Sequence, residues 1–483
     1  MNLNPYIYSQ HLIQKAETET FKKVDSFRVM QKAAEACFNF IIDIILNQKI
    51  LVMCGPGNNG GDGILIAKYL HDRQKNVTLY APLGIAKTDD SKKALALLNS
   101  NTLIKQNINF KDYDIVIDSV FGVGLNRPIT EELKNIFQNL NTTKSTVISI
   151  DMPSGVHTDT GQIDSVAIKA DSTLTFHRLK PGHFLLPGKD YTGTIELLDI
   201  QLENLDNKTS IFLNSPPPIK KMNNTDHKYS RGTSYIIAGT QLIGASKLAA
   251  LAASQSALRS GAGLSKLLIA KENEKVFKPH ILEEMMILYE NQKKLFDIIQ
   301  NTKITSLIFG CGIDINQDNL KLLKFLLDQP INLILDASVF SLIEQNKSSY
   351  FDALSKRTAI TIMTPHKGEF ERIFKSTNDK IGDCIKAAKQ TNSIILYKGS
   401  DTVIATPLGK AYLNHLSSPY LATAGSGDVL AGLIGGLLAQ EYEGIEATKL
   451  ACYIHSQCGI KLGRGLIASD LIMEIPNVFK NIL

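Results

Sequence analysis

The 483-residue sequence predicts an α/β protein made of two tandem domains, each built on a parallel sheet. Short Val- and Ile-rich runs closed by Gly or Pro alternate with helical patterns along most of the chain. This alternation lapses over 202–224, in the polar, proline-bearing "LENLDNKTSIFLNSPPPIKKMNN", and then restarts. Hydrophobic residues make up 44% and charged residues 20%, the balance of a globular chain long enough for two cores.

From 17 to 47, "ETFKKVDSFRVMQKAAEACFNFIIDIIL" carries apolar residues at helical spacing and predicts one or two helices. The runs "KILVMCG", "NVTLYAP", "YDIVIDSVFG" and "STVISIDMPSG" then read as buried strands. Helices such as "GILIAKYLHDRQK" and "DDSKKALALLNS" lie between them, which is βαβ logic and implies a parallel sheet. The triple proline Pro216 to Pro218 makes 202–224 the best linker, so domains are expected at 1–213 and 222–483. Beyond it "TSYIIAG", "KLLIA", "SLIFGCG", "NLILDAS", "AITIMTP" and "SIILYKG" are strands, with Ala-rich or charged helices interleaved.

Composition excludes several classes of function. The net charge of +5 comes from 52 basic and 47 acidic residues with no run of five or six like charges, so no nucleic-acid partner is expected. The longest apolar runs, such as "VLAGLIGGLLA", are too short and too Gly-broken to span a bilayer. The start "MNLNPYIYSQH" has neither the basic nor the apolar part of a signal peptide. Cys37, Cys54, Cys311, Cys384, Cys452 and Cys458 form no C-x-x-C pair and are expected as buried thiols of a reducing compartment. A cytoplasmic protein with small-molecule partners, assembled as a homo-oligomer, is the expectation.

In "CGPGNNGGDG", Gly55, Gly57 and Gly60 fit the G-x-G-x-x-G dinucleotide fingerprint. A hydride-transfer site also requires a ribose-binding acid about 20 residues on, at the end of the second strand. That strand reads "VTLYAPLG" and offers none. Asp62 lies in the loop instead, where a simple phosphate cradle would find it unhelpful. Asn59, Asp118 and Ser154 are hard oxygen ligands from three strand-end loops, suited to a monovalent or divalent cation, or else N-caps and Asx turns.

"CGPGNNGGDG", "DSVFGVGLNRP", "DMPSGVHTDTG" and "ADSTLTFHRLKPGHFLLPG" together resemble the NAD(P)H-hydrate epimerase domain, over residues 10 to 205. The resemblance implies a Rossmann-like αβα fold. It implies that Asn58, Asn59, Gly60, Gly61 and Asp62 contact a hydrated dinucleotide, as do Gly122, Val123, Gly124, Leu125, Asn126, Arg127 and Pro128. Asp151 is implied to contact it too, and Asn59, Asp118 and Ser154 to hold a potassium ion. Met152 stands where the family usually has isoleucine. Asp151, at a strand end, is the candidate for acid/base or electrostatic work on the hydroxylated ring carbon.

In the second domain "TAGSGDVLAGLIGGLLAQ" sets Gly425, Ser426 and Gly427 before an apolar helix, with Asp428 at its start. Backbone N–H groups there can hold an anion while the carboxylate takes a proton, or Asp428 can be an ordinary N-cap. "YKGSDTVIAT" offers a phosphate-sized turn, "TPHKGE" sets His366 after a strand, and "GTQLIGA" and "FGCG" supply Gly turns.

These motifs are similar to the ribokinase-like fold and, more narrowly, to the ADP-dependent NAD(P)H-hydrate dehydratases, over about 225 to 483. The resemblance implies that Ala245, Gly312, His366 and Asp428 meet the hydrate, while Lys398, Gly399, Ser400, Asp401, Thr402 and Gly427 meet ADP, with Mg2+. Cys311 stands where the family usually has proline, Ser338 where a second acid is common, and the "GTQLIGA" loop is one residue short. The expected activity is repair of hydrated NADH and NADPH. A ribokinase-like vitamin or sugar kinase fused to a non-catalytic dinucleotide-binding module is the alternative.

Overall fold

A computed structural model describes residues 5–98, 103–124, 128–241 and 243–482, and divides the chain into two compact units, 1–211 and 212–483. In the first unit, helices Gln10–Phe21 and Ser26–Ile42 precede the sheet, each opened by an N-cap side chain, Ser9 and Asp25. Seven strands follow in the spatial order Leu103–Lys105, Val77–Tyr80, Ile50–Cys54, Ile115–Ser119, Thr146–Ile150, Ser172–Phe176 and Thr194–Leu198. Every neighbouring pair is parallel. The sheet is buried on both faces, which is why its strands read as unbroken apolar runs. Ile50, Val52 and Cys54 pack toward helices Ser26–Ile42 and Asn58–Asp72. Leu51 and Met53 pack toward the helix Glu131–Asn141 through Leu133 and Phe137.

The chain leaves Ile50–Cys54 in one direction across the sheet and returns to Ile115–Ser119 on its other side. Ligands of open parallel sheets bind at the carboxyl ends of strands where the order reverses like this. The loop after Cys54 crosses that point in close contact, Gly55 N–H donating to Ser119 O at 3.0 Å. A Cβ on Gly55 would lie 1.9 Å from Val120 O, so no other residue fits. The sequence reading took "NNGGDG" as a loop, whereas Asn58 to Gly63 form the first turns of the helix Asn58–Asp72. Their glycines serve packing: a Cβ at Gly60 would meet Gly55 O at 1.8 Å.

In the second unit the parallel strands run in the order Ile394–Tyr397, Thr361–Met363, Asn332–Leu335, Ser306–Phe309, Thr233–Ile237, Leu264–Ala270 and Met285–Tyr289. Val403–Ala405 and Ala411–Leu413 extend the Ile394–Tyr397 side antiparallel. One face is covered by helices Ile243–Arg259, Ser426–Ala439, Gly444–Leu462 and Ala468–Ile482, which enclose Ile236, Leu267, Ile308, Ile334 and Ile362. The order reverses between Thr233–Ile237 and Ser306–Phe309. The stretch expected as a linker is partly packed, since Leu202, Leu205 and Leu213 are buried. No helix of the described residues is long and apolar enough to cross a membrane.

Two candidate active sites

At the reversal of the first sheet lies a cavity of about 470 Å³, lined among others by Glu17, Asn58, Asn59, Asp62, Gly122 and Asp151. It thus brings together the helix start, the Gly122 loop and the end of Thr146–Ile150. Gly122, Val123, Gly124 and Pro128 belong to the loop after Ile115–Ser119, and Leu125, Asn126 and Arg127 lie outside the described residues. Asn58 Oδ1 accepts from Thr88 Oγ1 at 2.6 Å, Gly61 packs on Met30, and a Cβ at Gly122 would touch Asn59 and Asp151.

Asp151 is the best-supported group. Its φ of +71° is in the left-handed region, a costly conformation for a non-glycine residue that marks a position held by its surroundings. Those surroundings include Lys180, 1% exposed, whose Nζ donates to Asp151 Oδ1 at 2.5 Å, Thr175 Oγ1 at 2.7 Å and Phe176 O at 3.0 Å. All three ammonium hydrogens are thereby used. Burial alone would raise the Asp151 pKa, but the Lys180 charge and hydrogen bond outweigh it and hold the carboxyl below its usual range. His183 accepts at Nδ1 from the Lys180 N–H and donates from Nε2 to Asp151 O, and burial keeps it neutral, its pKa pulled down to about 3. Lys180 and His183 fall within "ADSTLTFHRLKPGHFLLPG", where nothing in the sequence alone marks either as a site residue.

Asp118 and Ser154 meet directly, Ser154 Oγ donating to Asp118 Oδ1 at 2.6 Å and Ser154 N–H to Oδ2 at 2.9 Å. Ser149 Oγ also donates to Oδ2. Asp118 is fully buried, its pKa raised by burial against these hydrogen bonds, and among the described residues it has no cationic side-chain partner. A buried carboxylate in this condition suits an added positive charge. Asn59 Nδ2 is buried without a partner, and Asn59 O accepts from Ser119 Oγ. The set of hydroxyl, amide and carboxylate oxygens offers hard donors of the kind a monovalent or divalent cation takes.

The second cluster lies at the strand ends of the other sheet. Gly425, at φ +84°, caps the helix Ser426–Ala439, and Asp428 stands in its first turn. Burial, and then the charge of Asp336, push the Asp428 pKa up to about 6. Asp336, buried after Asn332–Leu335, is a group the sequence reading passed over. It accepts from Lys398 Nζ at 2.7 Å and from Thr364 Oγ1 at 2.7 Å, while Glu369 lies 3.8 Å from the same ammonium. A Cβ on Gly427 would lie 3.5 Å from Lys398 Nζ, so the ammonium sits beside the Gly425–Gly427 turn. Cys311 places its thiol beside Asp336 and Asp428, within 4.8 Å of a carboxylate oxygen of each.

Lys398 therefore faces the acids and not the turn that follows it. Gly399 N–H donates to Thr402 Oγ1, which donates back to Gly399 O, and Asp401 Oδ1 is bound by Lys380 Nζ at 2.5 Å. Ser400 lies in the same turn. Ala245 and Gly312 come together across the reversal, a Cβ on Gly312 lying 3.2 Å from Ala245 O. His366 is more than half exposed and caps the helix Lys367–Ile373, its Nδ1 accepting from Glu369 N–H while Glu369 bonds its N–H in return.

Two α/β units, each with charged and Gly-rich groups gathered at the carboxyl ends of its parallel strands, define a two-domain enzyme. A family model described as NAD(P)H-hydrate dehydratase matches residues 234–477, and one described as YjeF-related protein N-terminus matches 26–182. The chain belongs to the family of bifunctional NAD(P)H-hydrate repair enzymes. It is 33% identical to the Dictyoglomus turgidum bifunctional NAD(P)H-hydrate repair enzyme Nnr, over 93% of this chain and 93% of that protein. It is 30% identical to the Thermofilum pendens protein of the same name, over 89% of this chain and 86% of that one. Among solved structures, the ADP/ATP-dependent NAD(P)H-hydrate dehydratase of Bacillus subtilis is similar at 26% identity, covering 55% of this chain and 95% of its own, with a TM-score of 0.47.

Proposed function

We propose that the first unit interconverts the R and S hydrates of NADH and NADPH, and that the second dehydrates the S form with ADP, giving AMP, phosphate and the reduced cofactor. The observation that carries this reading is the pairing of two unlike acid–lysine centres, Asp151 with Lys180 and Asp428 beside Asp336 and Lys398. The activities are assigned to 1–213 and 222–483.

In the first site Asn58 to Asp62 and Gly122 to Pro128 hold the dinucleotide, with the positive end of the Asn58–Asp72 helix aimed at its phosphates. Asn59, Asp118 and Ser154 would hold potassium, which supplies a fixed positive charge beside the buried Asp118. Asp151, kept ionised by Lys180, faces the ring as a base or an electrostatic stabiliser.

In the second site Ala245, Gly312, His366 and Asp428 hold the hydrate. Lys398 to Thr402 and Gly427 hold ADP, whose Mg2+ neutralises phosphate charge. Asp428 takes the proton of the ring hydroxyl as its oxygen bonds to the terminal phosphorus and the P–O bond to AMP breaks. The N–H groups of the Gly425–Gly427 turn hold the developing charge, with Lys398 beside them. Phosphate then leaves with the C–O electrons, and a ring proton is lost as the double bond returns. Six buried free thiols support a reducing, cytoplasmic setting. Sedimentation of the full chain tests the expected homo-oligomer.

The deciding experiment mixes the purified chain with both hydrate epimers, ADP and Mg2+ and follows the return of reduced-nicotinamide absorbance. Complete return is expected. No return with ADP or ATP, or a stable phosphorylated product, would refute the reading in favour of a kinase.

A further inference from the structure

Among the described residues, the first cavity is lined by acids and by no lysine, arginine or histidine. Glu17, Asp62 and Asp151 all line it, and Lys180 is committed to Asp151. Asp90 also lines the cavity but is paired with Lys93. Asp62 is 8% exposed, its Oδ1 is buried without a partner, and among the described residues no hydrogen bond or ion pair reaches Asp62 or Glu17. Asn59 Nδ2 is likewise unpartnered, so Asn59 does not supply the missing bond. Cys37, on the helix packed behind Asp62, is a buried neutral thiol, and His183 is neutral, so neither offers a counter-charge.

Two carboxyls that line one apolar-backed cavity with an ionised third cannot all be charged where, among the described residues, the ammonium groups of Lys180 and Lys93 are each paired with another acid. Enzymes that need both an acid and a base commonly pair carboxyl groups whose environments push their titrations apart. Asp151 is held down by Lys180. Asp62 is raised well above its usual range by burial, then by Asp151 and Glu17, while Glu17 is pushed up to about 7 by burial and then by Asp151.

We propose that Asp62 is the general acid of this site, delivering a proton to the departing ring hydroxyl, while Asp151 takes the proton of the returning water. The assignment rests on the epimerase reading given above. The hydroxyl sits on the ring carbon beside the ring nitrogen. As the C–O bond breaks, the nitrogen lone pair forms a C=N double bond, and the Asp62 proton converts the leaving hydroxyl to water. Water then adds to the opposite face of that carbon and gives its proton to Asp151. Transfer from Asp151 to Asp62 through cavity water restores the starting state, so nothing is consumed. Glu17 is a tuning residue, whose negative charge keeps the proton on Asp62.

The test uses the full chain and separated hydrate epimers without ADP. Wild-type interconversion in ¹⁸O-water is expected to place one labelled oxygen on the ring at each event. Asp62→Asn is expected to lower kcat for interconversion by on the order of 100-fold or more, with KM changed less than about threefold. A thermal unfolding transition of the first unit unchanged from wild type reports that the variant is folded. Glu17→Gln, which leaves Asp62 in place, is expected to shift the alkaline fall of the kcat profile to lower pH. Near-wild-type kcat in a folded Asp62→Asn, interconversion without label, or an unmoved limb in Glu17→Gln would each overturn the assignment. A wild-type chain unable to interconvert the epimers would instead overturn the epimerase reading itself.

Discussion

A lysine with 1% of its surface exposed is rare unless it is paired, and Lys180 is paired with Asp151, whose backbone is held in the left-handed region at the cavity. The pair is a device for holding Asp151 in place and ionised. Removing one partner of a buried pair leaves the other uncompensated, at a cost of about 3–5 kcal/mol. Lys180→Met is therefore expected to lower the denaturant midpoint of the first unit and abolish epimerisation. Adding Asp151→Asn should recover part of the stability and none of the activity. The sign of the pH effect follows from the depressed Asp151 pKa. The pair stabilises the fold above the unfolded carboxyl range and is lost as pH falls through the folded value. At the second site the shift is opposite. Asp428, raised to about 6, must be ionised to act as a base, so dehydratase kcat/KM is expected to fall as pH drops below about 6. Asp336→Asn removes a charge that raises Asp428, and should move that acidic limb to lower pH. A pH–rate profile of both proteins with saturating ADP checks it.

At the scale of elements, strands were legible wherever both faces of a sheet are apolar. "KILVMCG" and "SLIFGCG" became Ile50–Cys54 and Ser306–Phe309 because burial on both sides leaves a run with no polar interruption. Ser172–Phe176 escaped because Thr173 and Thr175 occupy buried positions, one bonding Thr192 O and the other serving the Asp151 network. Lys180 escaped for a related reason: a lysine in sequence reads as surface, and only the fold shows its partners. Asp336 was hidden at the end of a strand whose next turn drew attention to Ser338. The helix start at Asn58 was masked by glycines that are usually loop residues and that here permit close packing. Gly60→Ala should test that role. Its Cβ would meet the Gly55 carbonyl oxygen, so the loop or helix must shift, at about 1–3 kcal/mol of stability. Epimerase activity is expected to be lost while S-hydrate dehydration is unchanged, which coupled thermal unfolding and activity assays measure.

For the whole molecule, each unit has a core of its own, the first built of residues between Tyr8 and Leu205 and the second of residues between Ile236 and Val478. Each activity should therefore respond to lesions in its own unit. A mixture of R and S hydrates with ADP makes that separation visible in one progress curve. Wild type is expected to return all of the reduced cofactor in a single continuous phase, because the first site feeds the second. Asp151→Asn should return the S fraction at the wild-type rate and then slow to the spontaneous rate of epimerisation. Asp428→Ala should return almost nothing yet still equilibrate the epimers, with a loss of on the order of 10²–10⁴ in dehydratase rate for a missing base. Adding the two variants together should restore complete return if the intermediate passes through solvent. A curve that stayed biphasic with both present would show instead that the R and S hydrates are handed over only within one chain.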